Sequence, residues 1–186
     1  MKKIFTILVM AFCAFTLQAQ SLKYKSGNPA IFKNDFSFNV VINDSNPIID
    51  GKNQLAKDYY TARSEQEYVN FVIALERAHQ SFITYYNEKK GSIQSKIIHS
   101  TDAPYTLKID VSSMNVGNGG GMAFGMTAKA GGALINGTMI LVDNSTGDVL
   151  CEMEFSRIKG LMAPKFTARA ISVYRYLADE VIKSVN

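Results

Sequence analysis

Few side chains in this 186-residue sequence are of types that could carry chemistry: it holds two cysteines, Cys13 and Cys151, and two histidines, His79 and His99. A cysteine with a histidine could form a thiol nucleophile and its base. Cys151, however, stands in a run where Val149, Cys151, Met153 and Phe155 alternate with Glu152, Glu154 and Ser156, which puts it on the apolar side of a strand, where a thiol serves as packing. His79 falls on an apolar helical stripe, the setting of a partly buried and satisfied imidazole rather than a ligand. Two histidines without a neighbouring carboxylate cluster make a poor zinc site. Asp143 and Asp148 bracket a polar loop that lacks the spacing and terminal glutamate of a calcium loop, so they read as turn formers. These residues point to no catalytic group, no metal and no cofactor.

The stretch from Val116 to Gly132 is the other candidate, because glycine runs can cradle phosphate. It fails the phosphate patterns. A P-loop needs a lysine directly after its last glycine, and the lysine here, Lys129, precedes Ala130. In the dinucleotide spacing the third glycine falls at Met122 or Phe124, and a strand follows rather than a helix whose amino terminus could hold an anion. Met122, Phe124, Met126, Ala128 and Ala130 instead alternate with Ala123, Gly125, Thr127 and Lys129. Two readings stay open. One is a glycine-weakened edge strand or long hairpin arm with its tip at residues 117–121. The other is a contact face, in which Met122, Phe124 and Met126 meet a protein or lipid partner, since methionine adapts and glycine lets a backbone come close.

The elements that hold these residues begin with a leader. Lys2 and Lys3 precede an apolar run from Ile4 to Leu17, and Ala19 offers a small residue for cleavage, so residues 1–19 are expected to be a secretory signal peptide. The run is shorter than the roughly 20 residues of a membrane span. Cys13 follows the bulky Phe12 inside the run, which argues against acylation. Loss of 1–19 leaves 167 residues, enough for one domain, with Cys151 alone and hence no internal disulfide. The net charge of +4 falls to +2 without Lys2 and Lys3, and the basic residues are scattered. Nucleic acid is therefore not expected as a partner.

Residues 20–35 read as an extended lead-in and residues 36–186 as the domain. Phe36, Phe38, Val40 and Ile42 pattern a strand that ends at the turn Asn43 to Pro47. Ser64 and Glu67 form a capping box ahead of a helix whose apolar stripe runs Tyr68, Val72, Leu75, His79, Phe82 and Tyr86, closed by Lys89, Lys90 and Gly91. Strands follow over 93–99, at Tyr105 to Val111 and over 133–142, and the last of these makes a hairpin with Val149 to Phe155. A helix from Lys165 to Lys183 carries the stripe Phe166, Ala170, Val173, Tyr174, Leu177 and Val181. This order predicts an α+β fold, a mainly antiparallel sheet with two amphipathic helices packed on one face.

Tyr105 to Val111, the hairpin from Gly137 to Leu150 with its Asp-Asn-Ser-Thr-Gly-Asp turn, and the closing helix with Ala168 to Ala170 and Leu177 to Glu180 resemble a family of uncharacterised bacterial cell-envelope proteins. Their domain is similar to the curli-secretion lipoproteins and the amino-terminal domain of the Tol translocation protein. The resemblance implies a non-enzymatic exported module, periplasmic or associated with the outer membrane, that assembles with an envelope protein or with itself, with peripheral membrane contact a further option. It supplies no catalytic residue. The alternative is a small periplasmic hydrolase or ligand-binding protein whose polar groups converge only in the fold.

Overall fold

Three long strands, Tyr105–Asn115 (β6), Gly132–Asp143 (β9) and Val149–Met162 (β10), run antiparallel through the middle of the molecule. The computed structural model describes residues 21–185, apart from 118–120, 124–125 and 129–130 and the side chains of 121–123 and 126–128. Ser21–Gly27 (β1) pairs antiparallel with β10 at one edge. On the other side Ser37–Asn43 (β2) lies parallel to β6, and the two-residue Lys96–Ile97 (β5) lies parallel to β2. Ile48–Ile49 (β3) extends the β2 side by pairing with β6, and Gln54–Leu55 (β4) pairs with β3. The path is β1-β10-β9-β6-β2-β5, mostly antiparallel with parallel additions.

Alternation decides which face is dry. Leu107, Ile109, Val111, Ile135, Met139, Leu141, Cys151, Met153 and Phe155 are buried, while Lys108, Asp110, Thr138, Glu152 and Glu154 point to the open side. Helices cover the dry face. Glu65–Lys89 (α2) and Phe166–Val185 (α3) pack against each other, and α3 lies over β9, β10 and β1. The shorter Ala56–Thr61 (α1) packs on α2. Phe71, Leu75, Phe82 and Tyr86 from α2 meet Val173, Tyr174, Leu177 and Val181 from α3 in one core. Each such side chain contributes ~1.5 to 3 kcal/mol on burial, so this layer outweighs every polar contact described below. The α+β expectation holds.

Several expectations about single elements need correction. The predicted lead-in is extended, but Ser21–Gly27 is an edge strand of the sheet, anchored by Leu22, Tyr24 and the buried Phe32 just after it. Its polar composition misled because an edge strand needs only one apolar face. The strand expected over 93–99 shrinks to Lys96–Ile97, since Ser95 turns inward, with Tyr86 Oη 2.9 Å from its Oγ and the Oγ donating to Phe32 O at 2.6 Å. The capping box forms by half. Ser64 Oγ accepts from Glu67 N at 3.1 Å, while the Glu67 carboxylate turns to Arg63 at 3.1 Å and the Ser64 amide bonds Tyr60 O. The hairpin turn behaves as expected, with Asp143 Oδ1 accepting from the Ser145 amide and hydroxyl at 2.8 and 2.6 Å, which holds the Asp143 carboxyl below its ordinary range.

Candidate functional site

Where β2 ends, Asp44 turns under the helices and is 3 % exposed. His79 Nε2 from α2 lies 2.8 Å from Asp44 Oδ2, and Tyr174 Oη from α3 donates to the same oxygen. The two rings meet edge to face with centroids 5.4 Å apart. Burial and the adjacent carboxylate push the Tyr174 phenol well above its ordinary value, so it stays a donor. Three elements are thereby tied at one carboxylate. His79 is thus satisfied on the stripe, as its position predicts. Neither Asp44 nor Tyr174 stood out in the sequence; the available signal was a stripe tyrosine whose hydroxyl must find a partner once buried. Among the described residues the hydrogen-bond partner of the His79 ring is Asp44, and the trio ties the end of β2 to both helices.

Cys151 is fully buried in β10, and burial pushes its thiol up to about 11. At neutral pH it is a thiol, not a thiolate. His99 is exposed, and no hydrogen bond joins either histidine to Cys151. Among the described residues no group of three His, Cys, Asp or Glu side chains converges as a metal set.

The contact-face candidates divide. Gly121–Ala123 (β7) and Met126–Ala128 (β8) form a two-stranded antiparallel ladder apart from the main sheet, with Ala123 opposite Met126. This backbone is a hairpin arm, while the side chains of Met122 and Met126 and the whole of Phe124 lie outside the described residues. The root of the arm is tightly built. Arg169 of α3, 6 % exposed, donates from Nε to Val116 O at 2.9 Å and from Nη1 to Ala163 O and Pro164 O at 2.7 and 2.8 Å. Three carbonyls replace the water it loses. A Cβ on Gly132 would stand 2.1 Å from Gly160 O, and one on Gly160 would stand 2.4 Å from Ser172 Oγ and 2.8 Å from Arg169 O. These two glycines let β9, β10 and α3 approach closely beneath the arm.

Beside that root β10 runs out into Leu161 and Met162, which are 60 % and 65 % exposed and are the two most exposed large apolar side chains among the described residues. A groove of about 410 Å³ continues from Leu161 along α3, lined by Tyr85, Ala168, Ile171, Arg175 and Tyr176. Arg175 is held across the helix pair by Nε donating to Ser81 Oγ at 2.6 Å. Arm, strand end and groove therefore share one end of the molecule.

Two solved structures are loosely similar to this chain. A PelC dodecamer from Paraburkholderia phytofirmans is 14% identical, covers 88% of this chain and 97% of its own, and superposes with a TM-score of 0.42. Protein XCC0632 from Xanthomonas campestris, of family DUF330, is 16% identical, with coverage of 86% and 87% and a TM-score of 0.40. Likeness at this level transfers no role. The similarity expected to the curli-secretion and Tol domains is not confirmed by these likenesses. No protein-family model matches the chain, and none of the curated proteins does.

Proposed function

We propose that the protein is an exported, non-enzymatic module of the bacterial cell envelope, kin to the curli-secretion and Tol domains, that binds a second copy of itself or another envelope protein through the end bearing the arm. The carrying observation is the pairing of Leu161 and Met162, consecutive, apolar and mostly exposed, with an apolar groove beside them and the hairpin arm leaving from the same end. A fold that closes its core with α2 and α3 has no need of exposed apolar residues there, and such patches serve contacts. The apolar leader at 4–17 supports export. The inertness of Cys151 supports a role without a thiol nucleophile.

Sedimentation of the purified protein, with crosslinked capture from envelope extracts, tests this reading on a variant carrying Met122→Ser, Phe124→Ser and Met126→Ser and on a second carrying Leu161→Ser and Met162→Ser. Both should keep the far-UV spectrum and lose the oligomer or the crosslinked partner. Retention of every association by two folded variants would falsify the proposal.

A further inference from the structure

The open face of the sheet, opposite the helices, holds a polar trough of about 750 Å³ between β1 and β6, whose lining includes Lys23, Asp50, Asn115, Asn136, Ser156 and Arg157. A shallower recess of about 420 Å³, sharing Asn115 and Arg157, prolongs it toward the root of the arm. Its floor is built rather than incidental. Arg157 has φ +56°, left-handed for a residue with a side chain, and sits where β10 places two residues opposite Asn136. Its amide donates to Asn136 Oδ1 at 2.7 Å, and Asn136 Nδ2 donates to Ser113 Oγ at 2.8 Å, in a second bulge on β6. Asn136 thus locks two bulges, one on each side of β9. On the far flank Ser156 Oγ is 2.8 Å from Ser21 Oγ. A bulge of this kind re-aims a side chain, and strained non-glycine backbone gathers at functional sites.

The charges give the site a sign. Among the described residues neither Arg157 nor Lys23 forms a close ion pair: Glu154, which lies opposite Lys23, takes Lys25, two residues further along β1, as its close partner. Asp50 is the single carboxylate of the trough. We propose that this trough binds a small anionic ligand carrying a carboxylate or a phosphate, its charge held by Arg157 and Lys23 and its polar remainder by Asn115 and Ser156. Arginine suits either oxyanion through its planar fork, and the amide and hydroxyl groups suit a hydroxylated body. The site is separate from the apolar end and does not depend on it.

Calorimetry and amide-shift titration of the full protein with glucuronate, inorganic phosphate and neutral glucose test the proposal. At least one of the two anions should bind saturably, with shifts concentrated at Lys23, Asn136 and Arg157, and glucose should not. The preferred anion tells a carboxylate source from a phosphate source. Arg157→Gln and Lys23→Gln should each weaken that binding about tenfold, and Asp50→Asn should tighten it by removing a repulsion. Lys23 lies outside the bulge, so its variant answers even if Arg157→Gln disturbs the backbone. Equal binding by glucose, no saturable binding of either anion, or affinities unchanged in Lys23→Gln and Asp50→Asn would overturn it.

Discussion

The two faces of the sheet treat polar groups in opposite ways. Beneath the helices every buried side-chain nitrogen and oxygen among the described residues has a partner, and Asp44, Ser95 and Arg169 each bind groups from distant parts of the chain. On the open face no ion pair among the described residues includes Arg157 or Lys23, although Lys23 lies opposite Glu154 of β10, and Arg157 holds a strained backbone. The covered face spends its polar groups on joining elements, where a low dielectric makes an unmet group costly. The open face and the arm end carry what stability does not require.

The sharpest way to break this contrast is to remove one polar group from each face. Asp44→Ala leaves the Tyr174 hydroxyl and the His79 ring without their shared acceptor, and should destabilise by ~3 to 5 kcal/mol, as for other buried networks that lose one member. Lys23→Gln on the open face should stay within about 0.5 kcal/mol. Urea unfolding of both variants is the measurement. Similar losses in the two would show that the faces do not differ in this way.

A second prediction separates glycines that fill a structural need from those that do not. Gly160→Ala places a Cβ against Ser172 Oγ and the backbone of α3, which cannot yield as a long side chain would, and should cost ~2 to 3 kcal/mol. Gly147→Ala, in the β9–β10 turn, meets nothing within 4 Å and bears only its φ of +81°, about 1 kcal/mol. Thermal unfolding distinguishes them, and a smaller loss at Gly160 than at Gly147 would mean that β10 can move away from α3.

The third concerns Cys151. Cys151→Ala should cost ~1 kcal/mol through lost contact, with Cys151→Ser somewhat worse because its hydroxyl enters an apolar site. The alkaline limb is more telling. Below pH 9 the thiol is protonated folded or unfolded and adds no pH dependence. Between 9.0 and about 11 the unfolded thiol ionises while the buried one cannot, so stability falls with rising pH by one proton's worth of slope. Tyr60 and Tyr86, both pushed by burial from 10.0 to about 12, add a further decline above pH 10. Cys151→Ala should remove the first component and leave the second. An unchanged slope between pH 9 and 11 would show that the thiol is not shielded.

Much of this architecture was legible because it rests on period. The stripes of α2 and α3, the alternation in β6, β9 and β10 and the hairpin turn are each local patterns that the packed structure reinforces. What escaped was set by distance. The Asp44 tie joins residues 35 and 130 positions apart, and nothing near Asp44 distinguishes it from the polar turn around it. The bulges left a faint mark. Val111-Ser-Ser-Met114 and Phe155-Ser-Arg-Ile158 both place two polar residues between apolar ones, a break in a period of two at the points where the register shifts. The trough could not be inferred from them, because Asn136 joins the two bulges only once β6, β9 and β10 lie side by side.

The smallest expected change in stability falls at the far end of β10. Leu161 and Met162 continue a strand whose central apolar members, from Cys151 to Ile158, are buried, yet their exposure of 60 % and 65 % means that little apolar area returns to water when they are replaced. Leu161→Ser with Met162→Ser should therefore move the unfolding free energy by no more than ~0.5 kcal/mol. Phe155→Ser, six residues before Leu161 on the same strand and 1 % exposed, should cost ~3 to 5 kcal/mol, comparable to truncation of a core phenylalanine. The pair sharpens the division within one strand. If the double variant unfolds as readily as Phe155→Ser, these side chains belong to the core, and the apolar end loses its standing as a surface for partners.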